Sequence, residues 1–273
     1  MKSLQQRNYI AHTRQSDGER QLLKAHLDEV GAIAGEFARK IGIPNAGLLM
    51  GLLHDFGKYS QAFQAYLQSA TGILDQDDDE FVEAGKLKGK IDHSSAGAQY
   101  AWEQLRRIGG AGQGELCGQI LALCIASHHS GLIDCFDKND EPAFLKRMGK
   151  PDDKTHLQEC MSASDDEILV SIQRLAGADV VKEMFGAIAR FADFKANSGY
   201  LNAIEHFNLG FFTRFLFSCL IDADRLNSAE FEDTRRLDAR KEKGETVPWG
   251  VAVERLEQRL AGLPVRNYVD ELR

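Results

Sequence analysis

The segment Gly51-Leu-Leu-His54-Asp55-Phe-Gly-Lys58 places an imidazole and a carboxylate side by side at the end of an apolar helix. Successive side chains on a helix are about 100° apart, so the two could hold one metal ion together while Asp55 reaches toward a second. Lys58 comes four residues after His54 and shares its face if the helix continues that far. A lone His-Asp pair fits a buried histidine beside a helix end equally well, so a metal site requires further ligands that converge on it.

Other histidines and carboxylates occur at the ends or on the inner sides of predicted helices. His128 and His129 leave the strongly apolar segment 116–127, where adjacent histidines are uncommon unless they bind a ligand. Asp222 and Asp224 leave the most apolar segment, and because they are two residues apart, a helix directs them to nearly opposite sides. We therefore expect only one of the two to face the site. The candidate metal ligands are His26, His54, Asp55, His93, His128, His129 and one carboxylate of the Asp222 and Asp224 pair.

The chemistry of this set follows from its donor atoms. Imidazole and carboxylate without thiolate suit iron, manganese, cobalt or nickel, and the excess of histidine argues against magnesium alone. Seven ligands are too many for one ion, whereas two ions about 3.5 to 4 Å apart, bridged by Asp55 and a hydroxide, would use them all. Such a pair lowers the pKa of bound water to roughly 7 and stabilises the attacking and leaving oxygens of a displacement at phosphorus. The set predicts phosphoester hydrolysis, with Asp55 and Lys58 as catalytic residues and Lys58 neutralising a phosphate oxygen.

Helical periodicity indicates the elements that position these residues. Apolar residues recur at helical spacing in segments 21–41, 48–54, 60–70, 116–127, 168–194 and 204–226. Gly42 and Pro44 end the first segment, and Asn45 is placed to cap the second. Gly51 and Gly57 allow other backbone to come close. Because hardly any period-two strand pattern is present, the sequence predicts an all-α fold, a helical bundle around a dinuclear metal site.

The chain divides by composition into three predicted parts. Residues 1–20 form a polar lead-in without apolar periodicity, residues 21–228 form one domain, and residues 229–273 form a C-terminal helical appendage or the start of a linker. Within the domain, residues 134–166 are polar and predict a long surface excursion with one short helix. Ser94 or Ser95 is placed to cap the helix that follows His93, and the glycines of segment 109–114 predict a flexible turn.

Composition limits the possible functions. With 43% hydrophobic and 27% charged residues, the chain resembles an ordinary globular protein. Its net charge of -8 argues against a protein that coats nucleic acid through its whole surface. A local basic rim at Lys86, Lys88 and Lys90 could still attract phosphate, although a solvated loop explains the same lysines.

The sequence also indicates the cellular compartment in which the protein is found. Five cysteines without a CxxC pair predict reduced thiols and a cytoplasmic location. The amino terminus lacks the apolar core of a signal peptide. The longest apolar run, from Phe207 to Ile221, contains Arg214 and is too short to cross a bilayer, so it predicts a buried helix and no membrane partner.

Four sequence segments together resemble one branch of the HD phosphohydrolase superfamily. They read Leu53-His-Asp-Phe-Gly-Lys-Tyr-Ser-Gln-Ala-Phe63, Asp92-His-Ser-Ser-Ala-Gly-Ala98, Ser127-His-His-Ser-Gly-Leu132 and Leu220-Ile-Asp-Ala-Asp-Arg225. These segments are similar to the HD nuclease domain of the CRISPR-associated type I helicase-nuclease. The resemblance runs from about His26 to Ser228. It implies an all-α HD fold and metal-dependent cleavage of single-stranded DNA. It also implies a role in antiviral defence, in which the guide-RNA surveillance complex opens foreign duplex DNA and exposes the single strand.

The resemblance also implies a division of the ligands. One ion would be held by His26, His54, Asp55 and Asp224, and the other by Asp55, His93, His128 and His129. Lys58 matches the lysine of the family. Superfamily members commonly place the last ligand directly before an aromatic residue or an arginine, which favours Asp224 over Asp222 because Arg225 follows it.

Two features depart from the helicase-nuclease pattern and leave other functions open. The chain contains no GxxxxGK[ST] motif, so we expect a separate nuclease subunit or a fragment that acts with a helicase. The acidic balance means that tight DNA binding must come from the metals, the basic rim or a partner. One alternative is an HD phosphohydrolase acting on nucleotides or cyclic nucleotides, and another is a non-catalytic, metal-stabilised scaffold that docks a helicase.

Overall fold

The computed structural model describes residues 8–70, 91–192, 203–241, 249–266 and 270, and these ranges are predominantly helical. The helices before the centre of the chain are α1 (Leu23–Ala38), α2 (Pro44–Leu53), α3 (Gln61–Ala70), α4 (Ser95–Gly109) and α5 (Glu115–Ser127). Those after it are α6 (Ala143–Met148), α7 (Asp152–Thr155), α8 (Leu157–Ala163), α9 (Asp166–Leu175), α10 (Ala178–Ala192), α11 (Ala203–Glu232), α12 (Thr234–Lys241) and α13 (Trp249–Ala261). Short 3-10 turns span Arg39–Ile41 and Phe56–Tyr59. The predicted all-α class is confirmed.

Helices α1 and α2 pack with their backbones in contact because glycines face one another. A Cβ atom added at Gly51 would lie 2.5 Å from the Cα of Gly31, and one at Gly47 would lie 2.5 Å from the carbonyl oxygen of Ala34. Any side chain at these positions would push the helices apart. The predicted close approach at Gly51 is confirmed, and it brings the start of α1 beside the residue that follows α2.

The 3-10 turn that follows α2 is tied to the segment that precedes α4. The backbone N–H of Gly57 donates a 3.0 Å hydrogen bond to the carbonyl oxygen of His93, and a Cβ atom at Gly57 would lie 2.3 Å from that oxygen. This confirms the predicted close approach at Gly57. Gly97 on α4 meets the carbonyl oxygen of Leu53 in the same way. Helices α2 and α4 are thereby fixed at the point where the His-Asp pair leaves α2.

Helix α11 carries one buried face along much of its length. Phe212, Leu216 and Leu220 are fully buried, whereas Phe207 and Phe211 are 72% and 52% exposed. The expectation of a buried helix is therefore wrong for its first turns, which leave apolar side chains in solvent. The helix continues to Glu232, past the domain end predicted at residue 228. In the described ranges, no helix combines the length and the apolar character needed to span a bilayer.

The structure departs from the sequence predictions in several local features. A β-hairpin of β1 (Ile10–Thr13) and β2 (Arg20–Leu22) occupies part of the predicted lead-in. Segment 134–166 contains α6, α7 and α8 rather than one short helix. The glycine-rich segment forms a wide helical turn, Gly110–Gly114, between α4 and α5. In the region predicted as a C-terminal helical appendage, the compact unit Asp233–Arg273 contains α12 and α13.

The predicted cap at Asn45 is wrong, and Ser94 occupies the predicted N-cap position of α4 but makes no capping hydrogen bond through its side chain. Helix α2 begins at Pro44, and Asn45 lies inside it and binds the carboxylate of Glu183 through its backbone and side-chain N–H groups. At α4, the cap is a carboxylate rather than a serine hydroxyl. The side chain of Asp92 accepts a 2.9 Å hydrogen bond from the backbone N–H of Ser95. At the start of each helix, a carboxylate accepts the hydrogen bonds instead of the predicted capping side chain: Glu183 at α2 and Asp92 at α4.

Candidate metal centre

The inner half of the centre consists of His26, His54 and Asp224, which three packed helices bring together. His26 lies in the first turn of α1, His54 directly follows α2, and Asp224 lies on α11. The Nε2 atoms of the two histidines are 3.2 Å apart. Oδ1 of Asp224 lies 3.6 Å from Nε2 of His26 and 3.7 Å from Nε2 of His54. Both imidazoles are fully buried.

The outer half of the centre consists of His93, His128 and His129. His93 precedes α4, and the two adjacent histidines follow α5. The Nε2 atoms of His93 and His129 are 2.7 Å apart. The side chain of His129 is 54% exposed and that of His93 is 17% exposed, while that of His128 is buried. Solvent therefore reaches the centre from this half.

Asp55 lies between the two halves and presents one carboxylate oxygen to each. Its Oδ2 is 3.3 Å from the Nε2 atoms of His26 and His54. Its Oδ1 is 3.3 Å from Nε2 of His128 and 3.6 Å from Nε2 of His93. The carboxylate is buried. Because it contacts histidines of both halves, this one side chain connects the inner half to the outer half.

Three buried imidazoles share one orientation, in which Nδ1 is hydrogen-bonded away from the centre and Nε2 points into it. The acceptors are Oδ1 of Asn227 for His26, the carbonyl oxygen of Gly51 for His54 and the carbonyl oxygen of Ile125 for His128, each at 2.7 Å. Since these oxygens can only accept, each Nδ1 carries the proton in a neutral ring. The Nε2 lone pairs are therefore directed at the centre, as in metal-binding histidines.

Lys58 fixes the charge and position of Asp55. Its Nζ donates a 2.7 Å hydrogen bond to Oδ2 of Asp55 and a 3.2 Å hydrogen bond to the carbonyl oxygen of Ala11. Burial alone would raise the pKa of Asp55, but the ammonium group of Lys58 and the imidazoles of His54 and His128 hold it well below its usual range. The carboxylate is ionised at neutral pH and available to bind cations.

Burial and the nearby carboxylates act in opposite directions on the pKa values of the histidines. Burial lowers the pKa of His26, and burial lowers those of His93 and His129 to about 3 and about 4. Burial also acts on His54, but the carboxylates of Asp55 and Asp224 outweigh it and raise the pKa to about 10. His26, His93 and His129 are therefore neutral, as metal-binding imidazoles are, and the carboxylates of Asp55 and Asp224 provide the negative charge that would attract a cation.

The donor set fits divalent transition-metal ions. Six imidazoles and two carboxylates fall into three groups whose ligand atoms lie within 4.8 Å of one another. The groups are Asp55 with His93, His128 and His129; His26 with His54 and Asp224; and His12 with His26 and Asp55. Two nitrogens about 2.1 Å from one ion are about 3 Å apart when adjacent, which matches the close Nε2 pairs of each half.

The sequence did not indicate the residues that support the inner half. Oδ1 of Asn227 accepts hydrogen bonds from His26 and from Nε2 of Gln21, and its Nδ2 donates to Glu29. The amide orientation of Asn227 is thereby determined, and with it the tautomer of His26. Asn227 follows Asp224 by three residues on α11, so the helical spacing of a candidate ligand was the signal that could have revealed it.

A second supporting network holds the segment that carries His93. Asp92 accepts hydrogen bonds from Nζ of Lys150 and from the backbone and hydroxyl of Ser95. Arg147 donates to the hydroxyls of Ser94 and Ser95, at 2.8 and 3.1 Å. Burial alone would raise the pKa of Asp92, but these donors lower it to about 2, so the carboxylate remains charged. This network fixes the backbone on one side of the outer half.

Asp222, the alternative to Asp224, lies apart from the centre. Asp222 is exposed on α11, while Asp224 on the same helix faces the two inner imidazoles. Their separation by two residues produces this difference, as helical geometry requires. Lys86, Lys88 and Lys90 lie outside the described residues.

A helical bundle that presents a His-Asp pair at the end of a buried helix, with further imidazoles around one carboxylate, has the arrangement of an HD-type metal-dependent hydrolase. Residues 11–198 match the family described as "Cas3, HD domain", and the chain belongs to this family. The protein is thus an HD-type metal-dependent nuclease of CRISPR systems, which confirms the resemblance found in its sequence. A search of curated proteins finds no match to the chain.

Proposed function

We propose that the protein hydrolyses phosphodiester bonds of single-stranded DNA during CRISPR interference, using two divalent transition-metal ions. The ions would be iron, manganese, nickel or cobalt, in keeping with a donor set dominated by imidazole. Bound in the centre, two such ions would supply the Lewis acidity that hydrolysis of a phosphodiester requires. The family match supports the reaction class, and the choice of single-stranded DNA follows from the resemblance of the four sequence segments.

The observation that carries this proposal is the position of Asp55. Each of its oxygens lies within 3.3 Å of at least one imidazole nitrogen, and the two oxygens face different sets of histidines. A carboxylate in this position can bridge two ions. In the proposed centre, Asp55 joins His26, His54 and Asp224 on one side to His93, His128 and His129 on the other.

The protein side chains have distinct tasks in the proposed reaction. Asp55 would hold both ions, and Lys58 keeps its carboxylate ionised and oriented. Because Lys58 is only 4% exposed and donates to two oxygens within the protein, we infer that it positions Asp55 rather than contacting a phosphate oxygen. This role differs from the phosphate contact expected from the sequence. The Nδ1 hydrogen bonds of the buried histidines keep their Nε2 atoms aimed at the ions without rearrangement.

The accessible side of the centre indicates where DNA would bind. The inner imidazoles are fully buried, whereas His129 is 54% exposed. We infer that the scissile phosphate approaches through the outer half, past His129 and His93. A duplex presents its phosphates on a wide, rigid surface, whereas a single strand can bend into a partly enclosed site.

Partners would provide the substrate and much of the affinity for it. A chain with a net charge of -8 gains little from non-specific attraction to DNA. We propose that a helicase module, on the same or a separate chain, and the guide-RNA surveillance complex deliver the single strand in the cytoplasm. The Lys86, Lys88 and Lys90 rim remains a predicted contribution to DNA binding.

The experiment is a cleavage assay on circular single-stranded DNA with Mn²⁺, Co²⁺, Ni²⁺ or Fe²⁺. We expect linear and shorter products, which only an endonuclease makes from a circle, and no products after chelation. Duplex DNA and a panel of nucleotides and cyclic nucleotides are the comparison substrates. Faster hydrolysis of a nucleotide than of the circle would replace this proposal with the small-molecule phosphohydrolase. Binding of a helicase without hydrolysis of any substrate would support the scaffold instead.

A further inference from the structure

The N-terminal hairpin carries a histidine whose ring nitrogen is unsatisfied. Nε2 of His12 is buried and has no hydrogen-bond partner among the described residues. A buried polar atom in this state destabilises the fold, and native proteins seldom retain one without a reason. The nitrogen therefore indicates a ligand that the surrounding side chains do not supply.

His12 lies against the inner half of the centre. Its ring meets that of His26 edge to face, with 4.8 Å between centroids. One nitrogen of each ring and one oxygen of Asp55 lie within 4.8 Å of one another. Two ligands on opposite sides of one ion are about 4.2 Å apart, so these three atoms need only a small movement to share an ion.

The hairpin is fixed so that His12 has little freedom to turn away. The side-chain amide of Gln64 accepts a 3.1 Å hydrogen bond from the backbone N–H of Ile10 and donates a 3.0 Å hydrogen bond to its carbonyl oxygen. Lys58 bonds the next residue, Ala11, while also holding Asp55. The pairing with β2 is irregular between Ile10 and His12. Such bulges redirect a side chain next to an active site.

We propose that His12 is a further ligand of the inner ion, supplied by the N-terminal hairpin to the ion that His26, His54, Asp55 and Asp224 hold. This inference rests on the proposed function, because it assigns one more residue to the same centre. A contact with DNA is the less suitable role, since Nε2 of His12 is buried and DNA would approach through the outer half. A metal ion is small enough to occupy the interior.

Metal titration of His12→Gln and His12→Phe tests the proposal without relying on catalysis. Glutamine retains a polar side chain, and phenylalanine retains a ring of similar shape without a nitrogen. His156→Gln is the matched control, because His156 lies outside the centre and is partly exposed. Binding of Mn²⁺ is measured by calorimetry, and the visible spectrum of bound Co²⁺ reports the number of nitrogen ligands.

We expect both His12 variants to bind one of two ions about 10 to 100 times more weakly and the other ion as the parent does. The Co²⁺ spectra of both His12 variants should differ from that of the parent, and the spectrum of the His156→Gln control should match it. Parent-like affinities and an unchanged spectrum would overturn the proposal. Circular dichroism of the metal-free proteins shows whether each variant is folded. If the glutamine variant is unfolded, the metal affinity of the phenylalanine variant tests the proposal.

Asp55→Asn, titrated in parallel, separates this inference from the proposed function. If it binds two ions as tightly as the parent, Asp55 does not bridge them and the proposed centre fails. If it loses ions while both His12 variants retain parent affinity, the centre stands and only the assignment of His12 is wrong.

Discussion

The two halves of the metal centre are built differently. The inner half uses helices α1, α2 and α11, its imidazoles are fully buried, and side-chain or backbone oxygens 2.7 Å away fix both Nδ1 atoms. In the outer half, His129 is 54% exposed, although His128 is buried and its Nδ1 is fixed by a 2.7 Å hydrogen bond as in the inner histidines. Nδ1 of His93 is 3.3 Å from the carbonyl oxygen of Ile91, a longer hydrogen bond than those of the inner histidines. The inner half is thus preorganised for an ion, and the outer half leaves room for a substrate.

Asp55→Asn should have the largest effect, because it removes the charge that joins the halves. We expect cleavage of circular single-stranded DNA to fall by more than about 10³-fold, the scale seen when one charge-stabilising group is lost. Asparagine matches the shape of aspartate, so the fold should persist. Cleavage rate and metal content are the measurements. A variant that cuts at the parent rate would remove Asp55 from the centre.

His54→Ala and His129→Ala distinguish the halves by stability. Both should reduce cleavage about 10²-fold, because each removes a proposed ligand. Only His54→Ala should also destabilise the metal-free protein, by about 2 to 4 kcal/mol, since it leaves a cavity between the rings of His26 and His128. His129→Ala should change the free energy of unfolding by less than about 0.5 kcal/mol. Urea unfolding after chelation provides the comparison, and equal losses would show that the halves do not differ in rigidity.

Asp224→Asn and Asp222→Asn test which carboxylate completes the inner half. We expect Asp224→Asn to reduce cleavage about 10²-fold, and Asp222→Asn to leave it within about twofold because Asp222 is exposed. Rates at saturating Mn²⁺ measure both. The opposite ranking would move the last ligand by two positions along α11.

Asn227→Leu should have a smaller effect than the loss of any proposed ligand. It preserves much of the side-chain volume but removes the acceptor of the His26 Nδ1 proton. We expect the inner ion to bind about 10-fold more weakly and the outer ion to bind normally, as is typical when the partner of a metal-binding histidine is removed. Calorimetric titration with Mn²⁺ measures the two affinities. Ser228→Ala is the control on the same helix, and equal weakening of both ions would contradict the separate support of the halves.

Local spacing was sufficient to predict much of this arrangement. The helices around His54 and His128 follow from apolar periodicity, and the opposite directions of Asp222 and Asp224 follow from the helical repeat. Gly51 and Gly57 were predicted as close contacts because glycine permits them. These features depend on residues near one another in the chain.

The features that were missed depend on distant partners. His12 lies in a strand of four residues, too short to show a periodic pattern. Asn45 was expected to cap a helix, but the carboxylate of Glu183, 138 residues away, binds it inside the helix. Asn227 supports His26 across 201 residues. No local pattern encodes such pairs, because they exist only after the helices pack.

The position of α11 along the chain affects when the centre can form during synthesis. His26 and Asn227 are 201 residues apart, and translation at about 5 to 20 residues per second takes roughly 10 to 40 s over that distance. A nascent chain on the ribosome already contains His54, Asp55 and the outer histidines before Asp224 has been added. The complete set of proposed ligands therefore exists only after Asp224 has been translated.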